Sequence, residues 1–368
     1  MWRVCSLLAL SLALATPSRA DVTLYGTVRA DVEVVRLGSR DRAEHLVRVV
    51  NNSSYLGFRA QEELRPSLRA WAQIEGAVGV DDGSGAFAGR NTGVGLSSRA
   101  GTLLIGQWDS PYKSATGFLD PFSGTTDGVY LGVLGGNVAT VAGADASTRV
   151  SFERRARNVV QVWSPSTLAP VEARWAVGLG ESSAIPTVAL SAGSLAWRSD
   201  GFSAGAAYED HRGWQAGQRD RAVKGYGQWA AGNQTSIGLV AEHIRWRGSL
   251  STVEIKGRSL PADLSGASWA QVDAVLVALQ HHAGPWHLNL SVGTDFGVKT
   301  SLGRLAHSRA HQVAAGIAYS LGPRTELCGL YARIGNAGAS ANSFGSNRIA
   351  VTPGTDLVAL GAGVVHRF

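Results

Sequence analysis

Residues 21–35 alternate between two faces, with Val22, Leu24, Gly26, Val28, Ala30, Val32 and Val34 on one and Thr23, Tyr25, Thr27, Arg29, Asp31 and Glu33 on the other. The charge falls on a single face, which a period of two produces and a helix would scatter around its circumference. The same pattern sets Leu56, Phe58 and Ala60 against Tyr55, Gly57, Arg59 and Gln61. It then sets Leu68, Ala70, Ala72 and Ile74 against Arg69, Trp71, Gln73 and Glu75. It is clearest in Trp286, Leu288, Leu290, Val292, Thr294 and Phe296, opposed by His287, Asn289, Ser291, Gly293 and Asp295. At the end of the chain Val358, Leu360, Ala362, Val364, His366 and Phe368 share a face, with Arg367 opposite. Further strands are expected over 92–98, 101–108, 155–164, 170–180, 186–198, 201–210, 221–231, 234–246, 267–281, 308–320 and 324–334, sixteen in all.

Connections between these segments alternate in length. Short turns fall at Leu64-Arg65-Pro66, Ser164-Pro165-Ser166, Ser199-Asp200-Gly201, Ala231-Gly232-Asn233, Ala283-Gly284-Pro285 and Leu321-Gly322-Pro323, and longer polar stretches near 36–46, 80–91, 211–220, 247–266, 298–307 and 335–354. An all-β transmembrane antiparallel barrel of about sixteen strands has this asymmetry, an apolar face toward lipid and a polar face toward water. One connection, 109–154, far exceeds the others. A segment of that size inside a compact fold normally has a function. Folded into the lumen it would form a constriction; the plainer reading is an external lid or an unstructured loop.

The start of the chain adds a compartment. Residues 1–20 carry Arg3, an apolar run over 4–15 and Pro17-Ser18-Arg19-Ala20 before Asp21, the pattern of a secretory signal peptide. The run falls short of the roughly 20 residues a spanning helix needs. Residues 21–368 are read as one barrel domain, since no linker or composition break divides them. A soluble sandwich would also alternate, but the leader, the strand number and the terminal aromatic count against it. Without its leader the chain carries a net charge of about +4, too small and dispersed for a nucleic-acid partner. Cys5 leaves with the leader, so Cys328 has no intrachain disulfide partner.

Several local sequences then converge. Val22-Thr23-Leu24-Tyr25-Gly26, Ser54-Tyr55-Leu56-Gly57-Phe58-Arg59 followed by Glu62-Glu63-Leu64, Leu68-Arg69-Ala70 leading to Gln73-Ile74-Glu75, and Val94-Gly95-Leu96-Ser97-Ser98 with Gly101-Thr102 occur in that order. Arg157-Asn158 with Ser164-Pro165, Arg324-Thr325-Glu326-Leu327 and the ending Val365-His366-Arg367-Phe368 complete the set. Together they resemble the general porins of β-proteobacteria, within the Gram-negative porin family of outer-membrane barrels. The resemblance implies passive diffusion of small hydrophilic solutes and ions through each barrel of a homotrimer, with the third loop in the pore. It also implies an outer-membrane location, contact with membrane lipid and lipopolysaccharide, and insertion by barrel-assembly machinery that reads Phe368. No cofactor is expected. The chain departs from the family where arginines are common inside the pore, having Tyr55, Gln107 and Gln161 there, and Cys328 stands where an aromatic is usual.

Selectivity in such a channel comes from charge and width at its narrowest point. The candidates for the constriction wall are Arg29, Arg59, Arg69, Gln107, Arg157 and Gln161, facing Asp109, Asp120 and Asp127 on the loop 109–154. Opposed banks of charge would create a transverse field; alternatively, several of these residues sit at a salt-screened rim. The three missing arginines imply a weaker preference for anions. Trp71 shares the polar face of its strand, whereas Trp108 and Trp163 are expected in an interfacial girdle or as strand-end packing. His281, His282 and His287 flank a turn and are read as solvated, not metal-binding. Asp81-Asp82-Gly83-Ser84-Gly85 has the oxygen ligands a Ca²⁺ ion favours, or is a plain loop tip. Two other functions are set beside the channel: a barrel enzyme using His211 with Asp210 or His243 with Glu242, and an adhesion surface built from the external loops. Neighbouring residues on a strand point to opposite faces, which argues against either enzymatic pair.

Overall fold

The computed structural model describes residues 21–38, 43–122, 127–135, 139–140, 152–180, 188–212, 219–247 and 254–368; the leader expected over 1–20 lies outside them. Sixteen spanning strands pair antiparallel with their sequence neighbours. They are β1 (Asp21–Gly38), β2 in two pieces (Ala43–Asn51 and Tyr55–Arg65), β3 (Leu68–Val78), β4 (Thr92–Ser98), β5 (Gly101–Asp109) and β6 (Arg155–Trp163). There follow β7 (Val171–Leu179), β8 (Val188–Arg198), β9 (Phe202–Arg212), β10 (Arg219–Ala231) and β11 (Thr235–Arg247). The last five are β12 (Trp269–Ala283), β13 (Trp286–Thr300), β14 (Ala310–Gly322), β15 (Thr325–Asn336) and β16 (Leu357–Arg367).

The sheet closes because β1 pairs with β16, from Thr27 opposite Arg367 to Leu37 opposite Leu357. Closure leaves no edge, as a spanning sheet requires where no water is available to satisfy its backbone. The seam is fastened below that pairing by two backbone hydrogen bonds between Gly26 and Phe368, 3.0 and 3.2 Å. Gly26 is needed there: a Cβ would lie 2.6 Å from the Phe368 ring.

The period of two sorts the side chains as the sequence implies. Val22, Leu24, Val28, Val32 and Val34 are exposed toward lipid, as are Leu103, Ile105, Leu239, Val277, Leu290, Val292 and Leu360 on other strands. Thr27, Asp31 and Glu33 are buried on the opposite face of β1. An aromatic band runs along the short-turn end of the outer wall. There Trp197 meets Phe202 (6.1 Å between centroids), Phe202 pairs with Trp229 across β9 and β10, and Trp286 meets Tyr319 (4.7 Å). Such rings favour the boundary between lipid and water.

One strand boundary differs from expectation. The stretch 36–46 reads as a polar loop, yet Gly38 pairs with Ala43 and the β1–β2 ladder continues to Ala30 opposite Asn51. The chain resumes the barrel at Tyr55 after an interruption at Asn52–Ser54, where Ser53 has φ 58° and the Ser54 hydroxyl bonds both N–H and C=O of Arg29 (2.8 and 3.1 Å). Leu46 and Val47 are consecutive and both exposed, so alternation gives no warning of this piece.

Candidate functional site

The connection after β5 begins with a short helix, α1 (Pro111–Ser114), started by Ser110, whose hydroxyl accepts the Lys113 N–H at 3.2 Å. Two 3₁₀ turns follow, Gly117–Leu119 and Tyr130–Gly132. Asp120 ties them together, its two oxygens accepting the backbone N–H groups of Phe122 and Tyr130, each at 2.9 Å.

These segments lie inside the barrel, fixed to inward-facing side chains on opposite walls. Toward β10 and β11, the Tyr112 hydroxyl donates to Glu242 at 2.6 Å, and the other Glu242 oxygen accepts the Gly135 N–H at 2.7 Å. Lys224 donates to the Thr116 hydroxyl at 2.7 Å, pairs with Glu153 and stands 4.1 Å from the centre of the Tyr112 ring. Tyr130 also donates to Glu153, at 2.8 Å. Toward β14, the Gln312 amide donates to the carbonyls of Gly128 and Val129 at 2.7 and 2.9 Å. Toward β2, Arg48 pairs with Asp127 at 2.8 Å and with Glu33 of β1 at 3.0 Å. Apolar contacts accompany these bonds. Tyr112, Leu119, Tyr130, Val133 and Leu134 form one buried cluster with Ala222, Val240, Ile244, Val272 and Leu276 of the wall.

Burial shifts the loop's titrating groups. It raises the Asp120 carboxyl to about 7, against the pull of its two backbone donors. It raises Glu153 to about 7 despite Lys224, and Asp127 to about 8, the Glu33 carboxylate adding to the effect and Arg48 opposing it. Burial likewise lowers the Lys113 ammonium, with Asp109 opposing.

Two regions of the lumen wall remain beside the loop. Against β1 and β12–β16 lies a cavity of about 390 Å³, lined among others by Arg29, Asp31, His282, His287, Glu326 and Arg367, with Asp120 and Phe122 facing it from the loop. Toward β2–β7, Arg90 pairs with Glu75 at 2.5 Å and stands 4.6 Å over the Tyr55 ring, while Lys113 and Arg155 share Asp109 at 2.7 and 3.4 Å. Trp71, Trp108 and Trp163 meet here, with centroids 5.6–6.3 Å apart. Arg59 lies 5.5 Å over Trp71 and Arg174 lies 5.1 Å over Trp163. Of the two alternatives for Trp108 and Trp163, strand-end packing holds: Trp108 is next to last in β5, Trp163 ends β6, and both pack with buried Trp71 and Leu104 on the inner side, while the interfacial band uses other rings. Gly95 makes room for Trp71, since a Cβ there would stand 2.4 Å from the indole.

The expected wall residues are thus distributed. Arg29 lines the cavity, Arg59 borders the tryptophans, and Arg69 sits by the turn end with Glu63, Arg99 and Thr167. Arg157 is exposed at a bulge where Asn158 has φ 53°. Gln107 donates to the Arg90 carbonyl at 3.0 Å, and Gln161 donates to the Asp109 carbonyl at 3.1 Å and accepts from Trp163 at 3.1 Å. Asp109, Asp120 and Asp127 are all occupied in holding the loop. Arg48, Glu153, Lys224 and Glu242 are absent from the expected set. Their only sequence signal is position on a polar face or inside the long connection.

The alternative pairs come apart. Asp210 accepts from Arg212 at 2.9 Å, while His211 contacts Glu209 at 2.7 Å and stacks on Phe152; Glu242 binds Tyr112, while His243 contacts Asp273 at 2.6 Å. His282 and His287 meet edge to face at 4.5 Å, and His281 contacts Thr235 at 2.9 Å. Asp82 caps the Ser84 N–H at 2.8 Å and Asp81 accepts the Asn51 N–H at 3.1 Å; among the described residues no three metal-ligating side chains gather.

A closed sixteen-stranded barrel with an apolar belt, a polar inner face and a long loop docked across its lumen defines an outer-membrane pore protein by architecture. The family model described as Gram-negative porin matches residues 6–339. The chain belongs to that family and is a multi-pass barrel of the outer membrane. Among curated relatives it is 35% identical over 134 residues to the major outer membrane protein P.IB of Neisseria meningitidis serogroup B, covering 35% of this chain and 40% of that protein. Its match to a P.IB protein of Neisseria gonorrhoeae is 31% identical over 144 residues, 38% of this chain and 39% of that one. The aligned part therefore spans about two fifths of those relatives. Among solved structures the fold matches an anion-selective porin from Comamonas acidovorans with TM-score 0.75, 20% identity and coverage of 95% and 100% of the two chains. It also matches the trimer form of OmpT from Vibrio cholerae, with TM-score 0.64, 14% identity and coverage of 95% and 99%.

Proposed function

We propose that this barrel is a water-filled channel for passive diffusion of small hydrophilic solutes and ions, with flux set by the docked loop and the wall charges beside it. The observation that carries this reading is the loop itself. Its anchors stand on β2, β10, β11 and β14, while the charged cavity beside β1 and β12–β16 stays open. Solute passage is assigned to this cavity, where Arg29, Asp31 and the paired Arg367 and Glu326 act on ions. The channel works without a catalytic step or cofactor.

Its selectivity is a weak preference for anions. Arg59, Arg69 and Arg157 remain as positive wall groups, but Tyr55, Gln107 and Gln161 are neutral, and Arg90 and Arg155 are compensated by Glu75 and Asp109. Asp109, Asp120 and Asp127 shape the passage through loop position more than through free charge. Three barrels assemble as a trimer, the membrane face meets lipid and lipopolysaccharide, and Phe368 marks the strand for barrel assembly. The leader 1–20 directs export. Refolded protein in a planar bilayer should give stable conductance steps that close in threes, with a small reversal potential in a salt gradient. A folded barrel with no conductance would overturn the channel, and a strong anion potential would overturn the weak selectivity.

A further inference from the structure

The outer wall carries a feature that conduction does not use. Along the lipid-facing side of β9–β11, Asp210 accepts from three guanidiniums: Arg219 at 2.5 Å, Arg212 at 2.9 Å and Arg221 at 3.4 Å. Asp210 is buried beneath them, whereas the three arginine side chains are each about 40% exposed or more. Register places Arg245 directly beside Arg221, and Arg247 lies on the same outward face two residues on. Arg245 rests 4.4 Å over the Trp269 ring, and its Nε is enclosed without a hydrogen-bond partner among the described residues. Three guanidiniums thus contact one carboxylate, with Arg245 and Arg247 beside them on the same face and His243, Asp273 and Lys299 as the next outward-facing group.

Below this cluster the wall is hollow. A groove of about 600 Å³ crosses β6–β10, its floor made by Ala173, Gly193 and Ala206 and its sides by Trp175, Leu195 and Val223. Tyr208 and Val223 line it and stand two residues from Asp210 and Arg221 on the same strands, about 7 Å at strand rise. Small residues on a lipid-facing wall leave this groove open to lipid, within two residues of the arginine cluster on β9 and β10.

We propose that this cluster and groove form a binding site for a phosphorylated acylated glycolipid of the outer leaflet, the phosphate held by Arg212, Arg219 and Arg221 and one acyl chain lying in the groove. This rests on the reading of the protein as an outer-membrane barrel and assigns its lipid contact to a specific place. An excess of guanidiniums matches a phosphate, which accepts their forked donors in pairs. The charge argues against a second copy of this chain as the occupant, since two such clusters would repel.

The test uses the refolded assembled barrel in detergent micelles and diphosphoryl lipid A as probe, with dephosphorylated lipid A and inorganic phosphate as separate arms. Saturable binding is expected to diphosphoryl lipid A, at least tenfold weaker to the dephosphorylated form, with no displacement by millimolar inorganic phosphate. The double variant Arg219→Gln, Arg221→Gln should weaken binding at least tenfold, and Ala206→Leu, which fills the groove while sparing the arginines, several-fold. Single-channel conductance should be unchanged in both, which separates failure of this site from failure of the channel. Unaltered affinity in a folded variant would overturn the proposal. So would displacement by inorganic phosphate, or cross-linking of a second barrel through Ala206→Cys.

Discussion

The two sides of the lumen show how one alternating pattern serves two environments. On β12, Ala270, Val272, Ala274, Leu276 and Ala278 point inward and are buried under the loop, while Val275 and Val277 alternate with them toward lipid, so the middle of the strand is apolar on both faces. On β1, the inward positions are Thr27, Arg29, Asp31 and Glu33, of which Arg29 and Asp31 line the cavity while Glu33 pairs with Arg48 under the loop. The first side behaves as a protein core with a few enclosed ion pairs, the second as the bank of an aqueous passage. A sheet covered on both faces reads as a near-continuous apolar run, and one that meets water reads as alternation. What covers the inner wall is therefore encoded in the strands, even though the loop's own sequence does not show where it docks.

The comparison breaks most sharply at the enclosed pair. Lys224→Met would leave Glu153 buried among Tyr130, Phe152 and Thr116 without its ammonium. Removing one partner of a buried pair costs about 3–5 kcal/mol, here drawn from loop docking more than from the barrel ladder. Limited proteolysis should then cut within 109–154 in the folded barrel, and conductance should rise. Intact resistance to protease would show that the apolar contacts alone hold the loop. Tyr112→Phe is the milder form. It removes a 2.6 Å hydrogen bond to the Glu242 carboxylate and keeps the ring, a loss of about 1.5–3 kcal/mol, read as more frequent transient openings.

Much of this was legible in the sequence and some could not be. The faces of β1, β3 and β13 and the sixteen spanning segments follow from periodicity, whereas the length of the connection 109–154 leaves an inward fold and an external lid both open. Arg48, by contrast, lies in a piece of β2 where Leu46 and Val47 interrupt alternation, so its pairing with Asp127 had no local signal. For Trp108 and Trp163 the sequence leaves a girdle and strand-end packing both open, because an indole favours an interface as well as a packed cluster. The irregular register between Gly106 and Trp108 changes which way the chain presents its side chains. Asp109, Asp120 and Asp127 carry the charge expected of a loop facing a positive wall, but their partners stand 2–79 residues away along the chain.

Acidity acts on the docked loop at both banks. Asp120, Asp127 and Glu153 titrate in the docked loop at about 7, 8 and 7, above ordinary carboxyl values. Between the ordinary range and those values the docked state holds more protons than the released one. Docking is therefore strongest at the acid side and weakens as pH rises through about 7 to 8. Bilayer recordings should show a quiet channel at pH 6 and more frequent, larger fluctuations at pH 9. Asp127→Asn, neutral throughout, should flatten the part of this dependence near pH 8, and a steeper dependence would assign it to other groups.

The smallest effect belongs to the open bank. Gly95→Val would place branched carbons where the Trp71 indole lies, so the ring must turn away from the wall and from the Ser97 hydroxyl it donates to at 3.2 Å. Arg59 would lose the ring beneath it, an interaction worth about 0.5–1 kcal/mol at an exposed site. The guanidinium keeps its charge but gains freedom, so the average field at the passage changes little while its geometry loosens. The reversal potential should stay close to its original value, whereas permeation by bulky solutes should fall because the displaced indole enters the lumen. If the potential instead reversed sign, Arg59 held in place by Trp71 would be the main source of anion preference, outweighing Arg29, Arg69 and Arg157 together.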